Sequence, residues 1–285
     1  MEDILEVKKL CKKYEGFELK NIDLTLPKGS IMGLIGENGA GKSTTIKAIL
    51  NTITFDSGKI SIFGEESNTM NREIKEDIGV VLDDSFLSEY LTPQDINSVM
   101  KNIYKKWDEK LYFKYLEDFK LPTNKKSKEF SSGMKMKLKI AVALSHKPKL
   151  LILDEPTSGL DPVARNEILD IFQDFVQNEE NSILVSSHIT SDLERITDYI
   201  TFINNGEIAF TKTRDEVMDG YGIVRCSKEE FEKIDKSDFI KCKKNKYDIE
   251  LLITDKTDFA KKYESVVVDK PTLEEIMLIY IKGDK

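Results

Sequence analysis

Apolar and polar residues alternate over Ile4–Leu10 and Phe17–Leu26, which predicts two strands with one wet face, an antiparallel start to the chain. Ile31-Met32-Gly33-Leu34-Ile35 is instead a continuous apolar strand ending at Gly36, and a helix follows from Lys42 towards Leu50, with Ile46, Ile49 and Leu50 at helical spacing. Short strands are expected at Ile60–Phe63 and Ile78–Leu82. From about Leu87 to Lys128 the texture becomes amphipathic helix, with Ile96, Val99, Met100, Ile103 and Tyr104 on one stripe and Leu111, Tyr115, Leu116 and Phe119 on the next. Strand-type runs return at Leu150–Leu153 and Ile183–Ser186, alternating with helices around Pro162–Asn178 and Ile189–Arg195. Such alternation predicts an α/β protein: a mostly parallel sheet wrapped by helices, with an inserted helical lobe at about 87–130.

A break at Asp219-Gly220-Tyr221-Gly222 divides this body, residues 1–219, from a small α+β tail, residues 222–285. The tail reads as strand Ile223–Cys226, helix Lys228–Ile234, strands Phe239–Lys243 and Tyr247–Ile253, helix Thr257–Tyr263, strand Ser265–Val268 and helix Leu273–Ile281. Strand-helix-strand-strand-helix-strand is the split pattern of a ferredoxin-like domain. Lys244-Asn245-Lys246 turns its hairpin, and Pro271-Thr272 introduces the last helix.

Composition narrows the function classes. An apolar fraction of 40% over 285 residues supports a buried core. A net charge of −8, with Lys interleaved among Glu and Asp, argues against a nucleic-acid groove as the working surface. Cys11, Cys226 and Cys242 are scattered without a C-x-x-C spacing, so neither zinc nor a disulfide framework is expected, and a reducing cytosol fits. No apolar run reaches the length of a membrane span and the acidic N-terminus lacks a signal-peptide core, so any membrane part is expected on another polypeptide.

The chemistry begins at Gly36-Glu37-Asn38-Gly39-Ala40-Gly41-Lys42-Ser43-Thr44, which meets the phosphate-loop spacing Gly-x4-Gly-Lys-Ser between an apolar strand and a helix. Glycines let backbone N–H groups approach phosphate oxygens, and the helix N-terminus adds partial positive charge. Lys42 supplies a point charge for the β- and γ-phosphates of ATP, and the Ser43 hydroxyl is placed for Mg²⁺. An ordinary glycine turn would not bring all four features together.

Leu150–Leu153 then runs into Asp154-Glu155, an apolar strand delivering two acids at the end where open α/β sheets bind ligands. Asp154 suits the Mg²⁺ shell, and Glu155 can polarise the attacking water. Alone, two acids would read as a helix start or a solvated loop; the phosphate loop upstream decides for function.

These segments, in order, resemble the ATPase subunit of ABC transporters, a P-loop NTPase of ABC type with an antiparallel β subdomain. Phe130-Ser131-Ser132-Gly133-Met134 resembles the signature Leu-Ser-Gly-Gly-Gln, Asp154-Glu155 the Walker B pair, Ser158-Gly159-Leu160-Asp161 the D-loop, and Ser187-His188 the switch histidine. Tyr14 stands where the family places a ring on adenine; the resemblance runs from about Ile4 to Val217. It implies a head-to-tail pair, a homodimer or paired ATPase subunits, in which Ser131 and Gly133 of one copy meet the γ-phosphate bound to the other. His188 would touch the same phosphate and Asp161 would run along the seam. It also implies an integral membrane permease as partner, a peripheral position at the inner face of the cell membrane, and no nucleic acid. The Pro271-Thr272-Leu273-Glu274-Glu275-Ile276-Met277 helix after a variable tail is similar to the exporter-type, ABC-2-like subset.

Two departures stand out. The family has Gln after the strand matching Ile78–Leu82, where this chain has Asp83, a shorter, charged candidate ligand for Mg²⁺; Gln94 lies too far along and belongs to the next helix start. Ser132 and Met134 replace Gly and Gln of the signature, and Ser132 adds a Cβ where backbone freedom is expected, which predicts demanding closure and modest ATPase activity. Competing readings are weaker. Ribosome-acting relatives carry two ATPase modules, chromosome-acting ones a long coiled coil, and this chain has neither; a tail that senses a ligand or dimerises remains a third class.

Overall fold

The computed structural model describes residues 2–82, 87–263 and 266–284. Asp83 therefore lies outside the described residues. The chain opens with two long strands, β1 (Asp3–Tyr14) and β2 (Phe17–Pro27), followed by β3 (Ile31–Ile35), α1 (Lys42–Ile49), β4 (Ser57–Ile62) and β5 (Glu65–Glu66). A short α2 (Arg72–Lys75) leads into β6 (Ile78–Val81). The helical lobe holds α3 (Pro93–Ile103), α4 (Glu109–Asp118) and α5 (Ser132–Leu144). Then come β7 (Leu150–Asp154), α6 (Pro162–Phe175), β8 (Ser182–Ser187), α7 (Thr190–Ile196) and the hairpin β9 (Tyr199–Asn204) and β10 (Glu207–Thr213).

The strands form the expected two layers. β2-β1-β4-β5 is antiparallel, and β10-β9-β3-β8-β7-β6 is parallel except for its β10–β9 edge. All five residues of β3 and of β7 are buried, as a parallel strand covered on both faces requires. Period-two alternation sorts their side chains between two cores. Ile31, Ile35, Leu151 and Leu153 pack with α5, α6 and α7, while Met32, Leu34, Leu150 and Ile152 pack with α1 and the antiparallel sheet.

In the lobe, Ile96, Met100, Tyr112 and Leu116 form a separate core, which extends onto Leu138, Ala141 and Val142 of α5. α5 therefore serves two cores, the lobe's on one face and the parallel sheet's, through Met136, Ile140 and Ala143, on the other. Thr92 starts α3 with a capping box to Asp95, and Gln94 falls within its first turn, as expected.

The tail comprises β11 (Gly222–Cys226), α8 (Lys228–Phe231), β12 (Lys241–Lys244), β13 (Ile249–Ile253), α9 (Lys256–Lys262), β14 (Val268–Asp269) and α10 (Leu273–Lys282). Its sheet order β12-β13-β11-β14, antiparallel throughout, is the order of the ferredoxin-like split pattern. β12 starts at Lys241 rather than at Phe239, whose ring is buried in the tail core; Ser265, expected to begin β14, lies outside the described residues. α10 does not stay with that core. Leu273, Ile276, Met277 and Ile279 join Phe172, Leu193, Phe202 and Val217 of the body. The three cysteines are unpaired, and among the described residues no helix is long and apolar enough to cross a membrane.

Candidate active site

The phosphate loop, the ends of β7 and β8, and the start of α1 converge at the C-terminal edge of the parallel sheet, where strand order places ligands in open α/β folds. Gly41 caps α1 at φ 117°, and a Cβ there would lie 2.6 Å from Leu19. A Cβ on Gly36 would collide with the Ile203 carbonyl, so the loop is pressed against β9. A cleft of about 520 Å³ results, lined by Gly16, Phe17, Asn38, Gly39, Lys42 and Glu155, with Ser43 and Thr44 at the helix mouth.

Lys42 is 5% exposed, and its ammonium donates to the carbonyls of Gly36 (2.8 Å) and Glu37 (3.2 Å). Glu155 Oε1 lies 3.1 Å from the same Nζ, as an ion pair outside hydrogen-bonding geometry. Oε2 of Glu155 accepts from the His188 ring at Nδ1 (2.7 Å) and from the His188 backbone N–H (3.3 Å). An ionised carboxylate only accepts, so Nδ1 carries the proton. Glu155 holds this position at φ 51°, a left-handed conformation that a non-glycine residue adopts at a cost of about 1–3 kcal/mol.

Asp154 is buried and accepts from Ser186 Oγ at 2.6 Å; the same Oγ receives the Glu155 backbone N–H at 3.0 Å. Ser186 thus orients both acids, a role not picked out in the sequence. Its place near the C-terminal end of an apolar strand is visible in the sequence, but not which neighbour it meets. The oxygens of Ser43 and Asp154 are hard donors of the kind Mg²⁺ takes.

Tyr14 pairs with Phe17 at the end of the β1–β2 hairpin. It is 44% exposed, with the Lys12 ammonium over its ring at 5.1 Å; Phe17, rather than Tyr14, lines the cleft. Ser131, Gly133 and Asp161 do not line it either. Ser131 is the N-cap of α5, accepting from Met134 N–H. Ser132 is the first helical residue and is not among the left-handed positions, so its Cβ meets no backbone constraint there, contrary to expectation. Its Oγ lies 3.4 Å from the Gly159 carbonyl, joining the signature to the D-loop. Asp161 caps α6 through Val163 and Ala164 N–H, bonds that lower its carboxyl pKa, the Ala164 bond foremost.

The ABC transporter family profile matches residues 19–158. The chain is 32% identical over 219 residues to the ABC transporter ATP-binding protein YtrB of Bacillus subtilis (strain 168), covering 76% of this chain and 75% of that one. The chain belongs to the ABC transporter ATP-binding proteins. Among its other relatives are the lantibiotic transport ATP-binding protein SrtF of Streptococcus pyogenes, 37% identical over 74% of this chain and 92% of that one, and the bacitracin transport ATP-binding protein BcrA of Bacillus licheniformis, 36% identical over 73% and 69%. A solved ATP-binding subunit of an ABC transporter superposes with a TM-score of 0.66 at 31% identity, over 76% of this chain and 92% of that one. This ABC protein binds ATP and hydrolyses it.

Proposed function

We propose that two copies of this ABC ATPase close head to tail around ATP and Mg²⁺, and that the cycle drives export through a separate membrane permease. The observation that carries the reading is the division of the site. Lys42 and Glu155 line one cleft, with His188 bonded to Glu155, whereas Ser131 and Gly133 stand at a helix N-terminus that does not line it. A phosphate bound to a second copy gives that N-terminus a partner.

In this reading Ser43 and Asp154 would hold Mg²⁺, which would offset charge on the phosphates. Asp83 is a further candidate donor from its place in the sequence. The loop N–H groups of Asn38, Gly39, Ala40, Gly41 and Thr44 cradle the phosphates, and Lys42 turns from Glu155 to the phosphate oxygens. Freed from that ion pair, Glu155 orients and deprotonates the attacking water. His188 stays on Oε2, which fixes the carboxylate while its ring faces the reacting phosphate. Tyr14 stacks on adenine from the hairpin end, and Asp161 lies at the seam of the pair.

Permease coupling is supported by an apolar cleft between sheet and lobe, lined by Leu50, Met70, Ile78, Val80, Leu82 and Tyr104. The lantibiotic and bacitracin transport names of two relatives favour an antibiotic cargo. Size-exclusion chromatography with light scattering tests the reading. Glu155→Gln with ATP and Mg²⁺ should elute as a dimer, and persistent monomers at saturating ATP would refute it.

A further inference from the structure

Four residues of α5 line one helical face at i, i+3, i+4 and i+7: Ser132, Lys135, Met136 and Lys139. With Leu138 they border a half-open pocket of about 270 Å³, lined also by Leu87, Glu89, Ser127, Ser158 and Leu160. The first of them touches the D-loop carbonyl of Gly159. The last, Lys139, is 9% exposed, an uncommon position for a lysine, and donates to the Leu82 carbonyl at 3.0 Å, directly past the end of β6. One turn nearer the signature, Lys135 pairs with Glu89 at 2.6 Å, and Glu89 is itself held by the Lys128 N–H.

We infer that Lys139 is a positioning residue for the half-site that this chain offers to its partner copy: it ties the signature helix to β6, so that Ser131 and Gly133 are presented at a fixed angle to the nucleotide-binding sheet. The inference rests on the head-to-tail reading above. Lys139 stands eight residues beyond Ser131, about 12 Å along the helix axis. A tilt of about 5° at this anchor moves the signature by about 1 Å, a misplacement that can cost about 100-fold in a positioned reaction. A buried ammonium adds little net stability, since its desolvation offsets its bonds. What it adds is direction, because its donors reach a named carbonyl one residue past the end of β6.

The test compares Glu155→Gln with Glu155→Gln/Lys139→Met and Glu155→Gln/Lys139→Arg, using sedimentation velocity with ATP and Mg²⁺. Nucleotide affinity is measured alongside, at protein concentrations below pairing, together with thermal midpoints. The Met variant should pair about tenfold more weakly or worse, with unchanged ATP affinity and an unlowered midpoint, and Arg should recover most of the pairing. Parent-like pairing of the Met variant overturns the inference alone. A parallel loss of pairing, ATP affinity and midpoint overturns it as well, assigning Lys139 an ordinary structural role. If the Glu155→Gln parent itself fails to pair, the head-to-tail reading falls and takes this inference with it.

Discussion

His188 Nδ1 and Glu155 Oε2 are 2.7 Å apart, on the side of the carboxylate turned away from Lys42. The histidine therefore holds the base without competing for the oxygen that the phosphate loop occupies. Because one contact joins the two residues, their removals should not add. Glu155→Gln should lower phosphate release by about 10²–10⁴-fold, the range of a lost general base. His188→Ala should cost less, and the double variant no more than Glu155→Gln alone. A steady-state phosphate assay on the four proteins reads the coupling, and additive losses would contradict shared action.

Lys42 is the second partner of that carboxylate, and its loss should show even without nucleotide. Lys42→Met leaves Glu155 Oε1 buried with no counter-charge, an arrangement worth about 1–3 kcal/mol of destabilisation. ATP affinity should fall by about 10- to 100-fold, as for a lost charge-assisted bond. Adding Glu155→Gln should restore the nucleotide-free melting midpoint but not the affinity. Calorimetry and equilibrium binding measure the two separately.

The Walker segments were legible in the sequence because their spacing and polarity break an apolar strand at its ligand-binding end; Asp154 and Lys42 announce themselves this way. Ser186 and Lys139 did not. A serine near the end of a strand and a lysine in a charged helix look the same whether they face solvent or a neighbour, and only the packing of β8 against β7 and of α5 against the end of β6 sets their roles. The body's mostly parallel sheet and the tail's split pattern followed from alternation and turn residues, whereas the order of the body's strands did not. The docking of α10 onto the body did not, because an amphipathic stripe shows that a face is buried but not against what.

His146 tests a different junction. Its ring stacks on Tyr104 (centroids 4.1 Å apart) and its Nδ1 bonds the Glu76 carbonyl at 2.8 Å, where the lobe meets the sheet domain. Burial is the largest influence on its pKa and holds it below 6.5, against the opposing pull of Glu76 and Asp77. The unfolded chain then binds the proton first. His146 thus contributes stability above about pH 6.5 that is lost as pH falls through the folded value. Melting midpoints between pH 7.5 and 5 should decline, and His146→Phe, which keeps a stacking ring, should flatten the slope. An unchanged slope would remove His146 from this role.

α10 ties the tail to the catalytic body near the switch. The Leu273 N–H donates to Glu194 of α7 at 2.7 Å, and α7 begins two residues beyond His188. Tyr280 packs its ring against Phe202 and Phe210, at centroid distances of 5.5 and 5.6 Å. Ile276 is fully buried in the shared core, so Ile276→Ala should cost about 2–5 kcal/mol, the range for an isoleucine cavity. Ending the chain after Tyr221 removes the whole helix and bares Phe202, Phe210 and Leu193, so the shortened protein should melt earlier and aggregate. Two outcomes separate a bracing role from a signalling one. If Ile276→Ala lowers the chemical-denaturation midpoint while ATP turnover at 20 °C holds, α10 only braces the body. If turnover falls in protein that remains fully folded, the helix sets the position of α7, and through it of His188.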